Sequence, residues 1–213
     1  KALHSFINVL FSLFVIYIDF LLFSCYYTFE VVIIMSSKLM IREIILEKYK
    51  IQNYDEYPFN IPVVKNFERI KFDSPVTFFI GENGVGKSTF IEVIAVNLDL
   101  PKEGGTENFM YETNDTTSNL SDYLKLVIDN EPATKFFLRA ESFYNFSSEV
   151  ERLVKETHWN SLFKSYGGNL HHCSHGESFL KVVQNRFTEK GLYILDEPEA
   201  ALSIQGQLSL LCL

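Results

Sequence analysis

The sequence predicts an α/β fold in which a mostly parallel central sheet is flanked by helices and has an antiparallel edge. Three short apolar runs carry this prediction, because strands buried on both faces of a parallel sheet are continuously hydrophobic. These runs are VTFFI at residues 76–80, KFFL at 135–138 and LYIL at 192–195. Apolar residues at helical spacing predict helices at 88–100, 148–155 and 177–187.

Two further segments complete the predicted fold. Residues 40–51 alternate between apolar and charged side chains, which predicts a half-exposed strand near a sheet edge. A short helix is predicted at 121–128. Residues 104–119 are rich in Gly, Thr, Asn, Asp and Ser, a composition typical of a long surface excursion.

The composition indicates one folded domain with negative charge. Of the 213 residues, 47% are hydrophobic and 22% are charged, which excludes a disordered or low-complexity chain. A net charge of -8 repels polyanions, so nucleic acid is disfavoured as a partner unless a local basic patch exists. Three cysteines without a CxxC pair predict free thiols in a reducing, cytoplasmic compartment.

Residues 1–34 differ from the rest of the chain. The stretch 6–34 is almost entirely apolar and long enough to span a membrane. Asp19, however, would lie near the middle of that span, where a charge is costly. Three interpretations stay open: a non-native extension with a start at Met35 or Met40, a membrane anchor, or an element of the core. We therefore expect an extension at 1–34 and a domain at 35–213, with a membrane as partner only if 6–34 is genuine.

Residues 81–88, GENGVGKS, match the pattern G-x-x-x-x-G-K-[ST] between a predicted strand and a predicted helix. The glycines allow successive backbone amides to turn inward, while the helix directs its positive end at the same point. We therefore expect phosphate to bind here, with Lys87 on the terminal phosphates and the Ser88 hydroxyl on a magnesium ion. The other predicted contacts in and after this loop are Gly81, Glu82, Asn83, Gly84, Val85, Gly86 and Thr89.

Two carboxylates, Asp196 and Glu197, directly follow the third apolar run. Ligands of open α/β sheets collect at the carboxyl ends of strands. Asp196 is predicted to hold magnesium directly or through water, and Glu197 to polarise the attacking water or accept its proton. Glu197 and Lys87 are thus the predicted catalytic residues. By itself, a strand followed by Asp-Glu-Pro is equally consistent with an acidic turn.

A second anion-binding surface is predicted at residues 174–178, SHGES, where hydroxyl and amide donors begin a helix. These residues, FLRAESF at 137–143 and LDEPEAALS at 195–203 occur in the order found in one family. Together they resemble a family of predicted ATPases of the ATP-binding-cassette (ABC) type, within the AAA and P-loop NTPase superfamily.

The resemblance implies a set of roles for these segments. Residues 81–88 would be the Walker A loop, 192–197 the Walker B strand and 200–203 the D-loop. Glu141 would occupy the Q-loop position, and the alternative for it is a surface ion pair with Arg139. The ATP contacts implied at the signature segment are Ser174, Gly176 and Glu177.

The implied activity is magnesium-dependent hydrolysis of ATP to ADP and phosphate. ATP would be sandwiched in a head-to-tail homodimer, where residues 174–178 of one subunit cover the γ-phosphate held by Lys87 of the other. The resemblance also implies a later strand ending in a switch histidine, so we expect a carboxyl-terminally truncated domain with weak turnover.

Other functions stay open at the level of sequence. They are a membrane-associated ATP-binding subunit of an ABC transporter and a P-loop kinase for small molecules. A zinc site is a further alternative, formed by His171, His172, Cys173 and His175.

Overall fold

A computed structural model describes residues 29–36, 39–106, 119–188 and 190–212, with side chains in the first strand from Ile33 onward. The described strands are β1 (Phe29–Ser36), β2 (Ile41–Leu46), β3 (Arg69–Lys71), β4 (Val76–Glu82), β5 (Leu124–Ile128), β6 (Thr134–Arg139) and β7 (Gly191–Asp196). The described α-helices are α1 (Pro62–Asn66), α2 (Lys87–Asn97), α3 (Phe143–Thr157), α4 (Ser161–Ser165), α5 (His175–Arg186), α6 (Pro198–Ala201) and α7 (Ile204–Leu211). Short 3-10 helices occupy Lys48–Lys50, Asn119–Tyr123 and Leu170–His172.

The larger sheet has the strand order β4-β1-β7-β6. β6 and β7 run parallel, whereas β1 is antiparallel to both β4 and β7, so β4, β7 and β6 all point the same way. The mixed α/β fold with parallel strands and flanking helices is therefore confirmed. In this sheet the antiparallel strand lies between two parallel ones rather than at an edge.

The second sheet is antiparallel and has the order β3-β2-β5. The strand predicted within 40–51 exists, but its predicted edge position is wrong because β2 is the middle strand. The alternation of buried Ile41, Ile44 and Leu46 with more exposed neighbours marks which face is buried. That period does not encode which strands pair on either side.

Two predicted segments differ in the structure. The helix predicted at 121–128 is a 3-10 turn followed by β5, whose residues pair with β2. The surface excursion predicted at 104–119 begins in the core instead: Gly104, Gly105 and Thr106 are buried. Gly105 exchanges two backbone hydrogen bonds with Phe137, at 2.6 and 2.9 Å. Residues 107–118 lie outside the described part of the chain.

The larger sheet separates two hydrophobic clusters. On one face Ile34, Phe137 and Ile194 pack with α2 and the second sheet. On the other face Ile33, Phe136, Leu138, Tyr193 and Leu195 pack with α3 and α5. The period-2 alternation of strand side chains explains this division. The resulting layers hold the carboxyl ends of β4, β6 and β7 at one edge of the sheet.

β1 crosses the predicted boundary between residues 34 and 35. Ile33 and Ile34 are only 5% and 4% exposed, so the end of the apolar stretch contributes to the core. The division into 1–34 and 35–213 stays a prediction, and residues 1–28 lie outside the described residues. Within the described ranges, no helix combines the length and apolarity needed to cross a bilayer.

Phe179 tests the packing of α5 on the larger sheet. Its side chain is fully buried and lies against Phe143, with ring centroids 5.4 Å apart. Phe179→Ala should lower the free energy of unfolding by about 3–5 kcal/mol, because it leaves a cavity in the core. Chemical denaturation measures this loss. Trp159→Ala, at a side chain that is 62% exposed, is the control and should change stability by less than about 0.5 kcal/mol. Equal effects of the two substitutions would contradict the packing.

Candidate nucleotide-binding site

The loop at 81–88 turns from the end of β4 into α2. Gly84 and Gly86 have φ values of 82° and 98°, a left-handed region that L side chains rarely adopt. Gly86 immediately precedes α2 and has no side chain to cap it. No side chain among the described residues therefore caps the first turn of α2, and the binding of an anion at this helix start stays a prediction.

The start of helix α1 packs against this loop. A Cβ on Gly86 would lie 2.9 Å from Ile61 Cδ1 and 3.0 Å from Val63 Cγ1. The Val63 amide also donates to the Val85 carbonyl at 3.3 Å. Sequence reasoning missed this support, since only the loop itself carries a recognisable pattern. Gly86 is thus required both by its backbone conformation and by the close approach of α1.

Lys87 is 93% buried by this loop, with 7% of its surface exposed. Its Nζ donates hydrogen bonds to the carbonyl oxygens of Gly81 at 2.8 Å and Glu82 at 2.7 Å. The ammonium group therefore bridges the start of the loop to the start of α2. Because lysine is a point charge on a flexible stem, it can exchange these carbonyls for phosphate oxygens without a change in the backbone.

The acidic strand end lies at the same edge of the sheet as the loop. Val32 of β1 pairs with Phe79 on one side and with Asp196 on the other. Asp196 is therefore level with Phe79 and two strand spacings away, about 10 Å. Glu82 lies three residues beyond Phe79 in the same direction. The structure thus places the predicted loop and the predicted carboxylates at the same end of the larger sheet.

Asp196 is the more deeply buried of the two carboxylates, at 3% exposure. Burial raises its pKa to about 7, Arg139 opposes that rise, and Glu197 adds to it. Asp196 Oδ1 has no hydrogen-bond partner among the described residues. A buried carboxylate oxygen without a partner is an acceptor for a cation or an ordered water.

Glu197 connects β7 to α6 in a left-handed conformation, with φ 51° and ψ 45°. For a residue with a Cβ this conformation costs about 1–2 kcal/mol. Such strain clusters at functional sites, where the surrounding structure holds a side chain in place. Here the turn ends β7 and begins α6 directly after Asp196.

Arg139 joins three elements at this edge. Its guanidinium is 8% exposed and lies 2.7 Å from Glu92 of α2, 2.5 Å from Glu141 and 3.2 Å from Asp196. The interpretation of Arg139 and Glu141 as a surface pair is wrong for Arg139, which is buried. Sequence reasoning missed Arg139 and Glu92 as site residues. The sequence did contain one signal for Arg139, because this charged residue directly follows the apolar run at 135–138.

Residues 174–178 begin α5 with a capping box. The Ser174 amide and hydroxyl donate to Glu177 Oε2 at 2.9 and 2.8 Å, and the Glu177 amide donates back to Ser174 Oγ at 3.4 Å. A Cβ on Gly176 would lie 3.1 Å from the carbonyl oxygen of Ala201. The segment therefore packs against the residues that follow β7, while its role toward ATP stays a prediction.

A family model described as an AAA domain matches residues 48–171, which is more than half of the chain. The chain belongs to the AAA domain family. The matched region contains the loop at 81–88, Arg139 and Glu141, and it ends before Ser174 and Asp196. No curated protein and no solved structure matches the chain. Membership places this AAA domain among P-loop ATPases. It does not assign the ABC type, magnesium dependence or dimerisation.

The alternative of a zinc site is not supported in this AAA domain. His171 lies against Ser148, Cys173 accepts from Lys181 Nζ at 2.8 Å, and the His175 ring packs edge-on against Phe143. Among the described residues, no group of three or more His, Cys, Asp or Glu side chains could hold a metal ion. Magnesium at a P-loop has a different donor set, since substrate phosphates and waters complete its shell.

The burial of Asp196 predicts a pH-dependent stability. Because its pKa is raised in the folded state, the native carboxyl favours its protonated form, and this contribution is lost as the pH rises from about 4 to about 7. Asp196→Asn stays neutral throughout. The melting temperature of Asp196→Asn relative to the parent protein should therefore be higher at pH 8 than at pH 5, measured without nucleotide or metal, because loss of the charge pair with Arg139 affects both pH values.

Asp129→Asn is the matched control, because Asp129 is 38% exposed in its ion pair with Arg42. It should show no comparable gain at pH 8. A gain of the same size at both pH values for Asp196→Asn would contradict the assignment of a destabilising buried charge.

Proposed function

We propose that this AAA domain is a magnesium-dependent ATPase of the ABC type, which hydrolyses ATP to ADP and phosphate. The observation that carries the proposal is the juxtaposition at one sheet edge. The loop at 81–88, with Lys87 and the amino end of α2, lies at the same end of the larger sheet as Asp196 and Glu197. A cradle for phosphate beside two carboxylates is the arrangement that phosphoryl transfer to water requires.

The donors present fit a magnesium ion. Asp196 Oδ1 is buried and has no hydrogen-bond partner within the described residues, and oxygen donors are what magnesium prefers. We assign Ser88 and Asp196 to this ion. When bound, it would supply neutralisation of the phosphate charge.

The remaining steps belong to residues of the chain. Backbone amides of residues 81–88 bind the phosphates, and Lys87 moves from the Gly81 and Glu82 carbonyls onto the terminal phosphates. Glu197 orients the attacking water and takes its proton as the water oxygen bonds to the γ-phosphorus and the bond to the leaving ADP oxygen breaks. We assign Glu141, which forms an ion pair with Arg139, to the Q-loop position, where it would contact the bound nucleotide.

We further propose that ATP closes two chains into a head-to-tail homodimer. In that dimer residues 174–178 of one subunit cover the γ-phosphate bound by the other. Ser174 and Glu177 are exposed at the start of α5, where the helix dipole favours negative charge. The Glu177 carboxylate holds that position in the single chain, and a phosphate would replace it.

Lys87→Ala tests whether the loop binds ATP. Loss of the charged contacts to the phosphates should weaken equilibrium binding of a fluorescent ATP analogue by at least about 100-fold. Lys65→Ala, at an exposed lysine of the neighbouring α1, is the matched control and should bind like the parent protein. Unchanged affinity of a folded Lys87→Ala protein would rule out the loop as the site.

Glu197→Gln separates binding from hydrolysis. The amide keeps the shape of the side chain but cannot accept a proton, so hydrolysis should fall by about 100-fold or more while ATP affinity is retained. Size-exclusion chromatography with ATP should then show an accumulated dimer. Glu131→Gln, at an exposed carboxylate, provides the control. If the Glu197 variant hydrolyses ATP like the parent, Glu197 is not the residue that activates water.

A further inference from the structure

Arg139 occupies a position that its sequence neighbours do not explain. It is the last residue of β6 and pairs in register with Asp196, the last residue of β7. The Ala140 amide also donates to the Asp196 carbonyl at 3.1 Å, which fixes the two strand ends to each other. The pairing of the β6 and β7 backbones therefore places the guanidinium beside the Asp196 side chain.

The contacts of Arg139 are distributed unevenly between its partners. Nη1 donates to Glu92 Oε1 at 2.7 Å and to the Lys102 carbonyl at 3.1 Å. Nε lies 3.2 Å from Asp196 Oδ2 but makes no hydrogen bond there within the described residues. The strong directional bonds thus anchor the guanidinium to α2 and to the chain that follows it. Asp196 is held by charge alone and keeps its own directional bonding capacity.

This arrangement leaves one carboxylate oxygen of Asp196 unused. Oδ2 faces the guanidinium, whereas Oδ1 is buried and has no hydrogen-bond partner among the residues described. The charge pair favours the carboxylate orientation in which Oδ2 lies toward the guanidinium, and in that orientation Oδ1 is the oxygen left for a cation. Groups that orient metal ligands in this way change metal affinity by about 10–100-fold when they are removed.

We propose that Arg139 is a positioning residue that fixes the Asp196 carboxylate for the magnesium ion and ties it to α2 through Glu92. The inference rests on the proposed function, because it concerns the same metal. It assigns Arg139 no contact with ATP. Loss of Arg139 should therefore weaken metal-dependent binding of nucleotide and spare the metal-independent part, which the loop at 81–88 provides.

The test compares two affinities in each full-length variant. Equilibrium binding of a fluorescent ADP analogue is measured in excess EDTA, and the manganese dependence of binding is measured by electron paramagnetic resonance of the bound ion. Arg139→Gln should raise the half-saturating manganese concentration by about 10-fold or more, with nucleotide affinity in EDTA unchanged within about twofold. Arg139→Lys keeps the positive charge but lacks the planar guanidinium group. Its half-saturating manganese concentration should therefore lie between those of Arg139→Gln and the parent protein.

Arg152→Gln is the matched control, because Arg152 bonds Glu149 and Glu156 on the exposed face of α3. It should leave both affinities at the parent values. The proposal is overturned if Arg139→Gln has the parent manganese midpoint, or if its affinity falls equally with and without metal, as a general structural defect would cause. If Arg139→Gln does not fold, Arg139→Lys provides the test. The same half-saturating manganese concentration as in the parent protein overturns the proposal. A higher concentration, with nucleotide affinity in EDTA unchanged, supports it.

Failure of the proposed function has a different signature. It would show as an absence of nucleotide binding in the parent protein itself, before any variant is compared, and the role of Arg139 would fall with it. Binding by the parent together with an unchanged midpoint in the Arg139 variants overturns only the role of Arg139.

Discussion

The candidate site depends on one buried positive charge and the carboxylates that surround it. Burial alone would lower the pKa of Arg139, but Asp196, Glu92 and Glu141 outweigh that effect and raise it, so the guanidinium stays charged. A buried charge is tolerated only when its partners are held in place. Those partners come from α2, from the end of β7 and from the turn after β6. The packing that positions these elements is therefore also what makes the site possible.

The position of β1 sets the spacing of the two halves of the site. Because β1 pairs with β4 on one side and β7 on the other, the phosphate loop and the acidic strand end are separated by a full strand. Ligands of open α/β sheets bind outside the carboxyl ends of the strands, and both halves of the candidate site lie there. Phe29 pairs with Glu82, so the amino end of β1 also lies at this edge.

Local pattern was sufficient for the elements that form the candidate site. The loop at 81–88 and the carboxylates after 192–195 were predictable because glycine positions, apolar runs and charge are properties of adjacent residues. Strand neighbours were not predictable in this way. Residues 121–128 alternate as well as they repeat helically, and only their pairing with β2 makes part of them a strand. Arg139 was misjudged because arginine is usually exposed, and its burial depends on partners distant in sequence.

The capping box at the start of α5 bears on how the proposed dimer closes. Ser174 and Glu177 satisfy each other's hydrogen bonds in the single chain, and such a cap stabilises a helix by about 0.5–2 kcal/mol. A phosphate can take the donors of Ser174 only after the Glu177 carboxylate has left, because two anions at one helix start repel each other. Displacement therefore requires a ligand more negative than a carboxylate. In the proposed dimer the γ-phosphate of ATP bound to the opposite subunit would be this ligand, so closure of the dimer would be coupled to release of the Glu177 carboxylate from the start of α5.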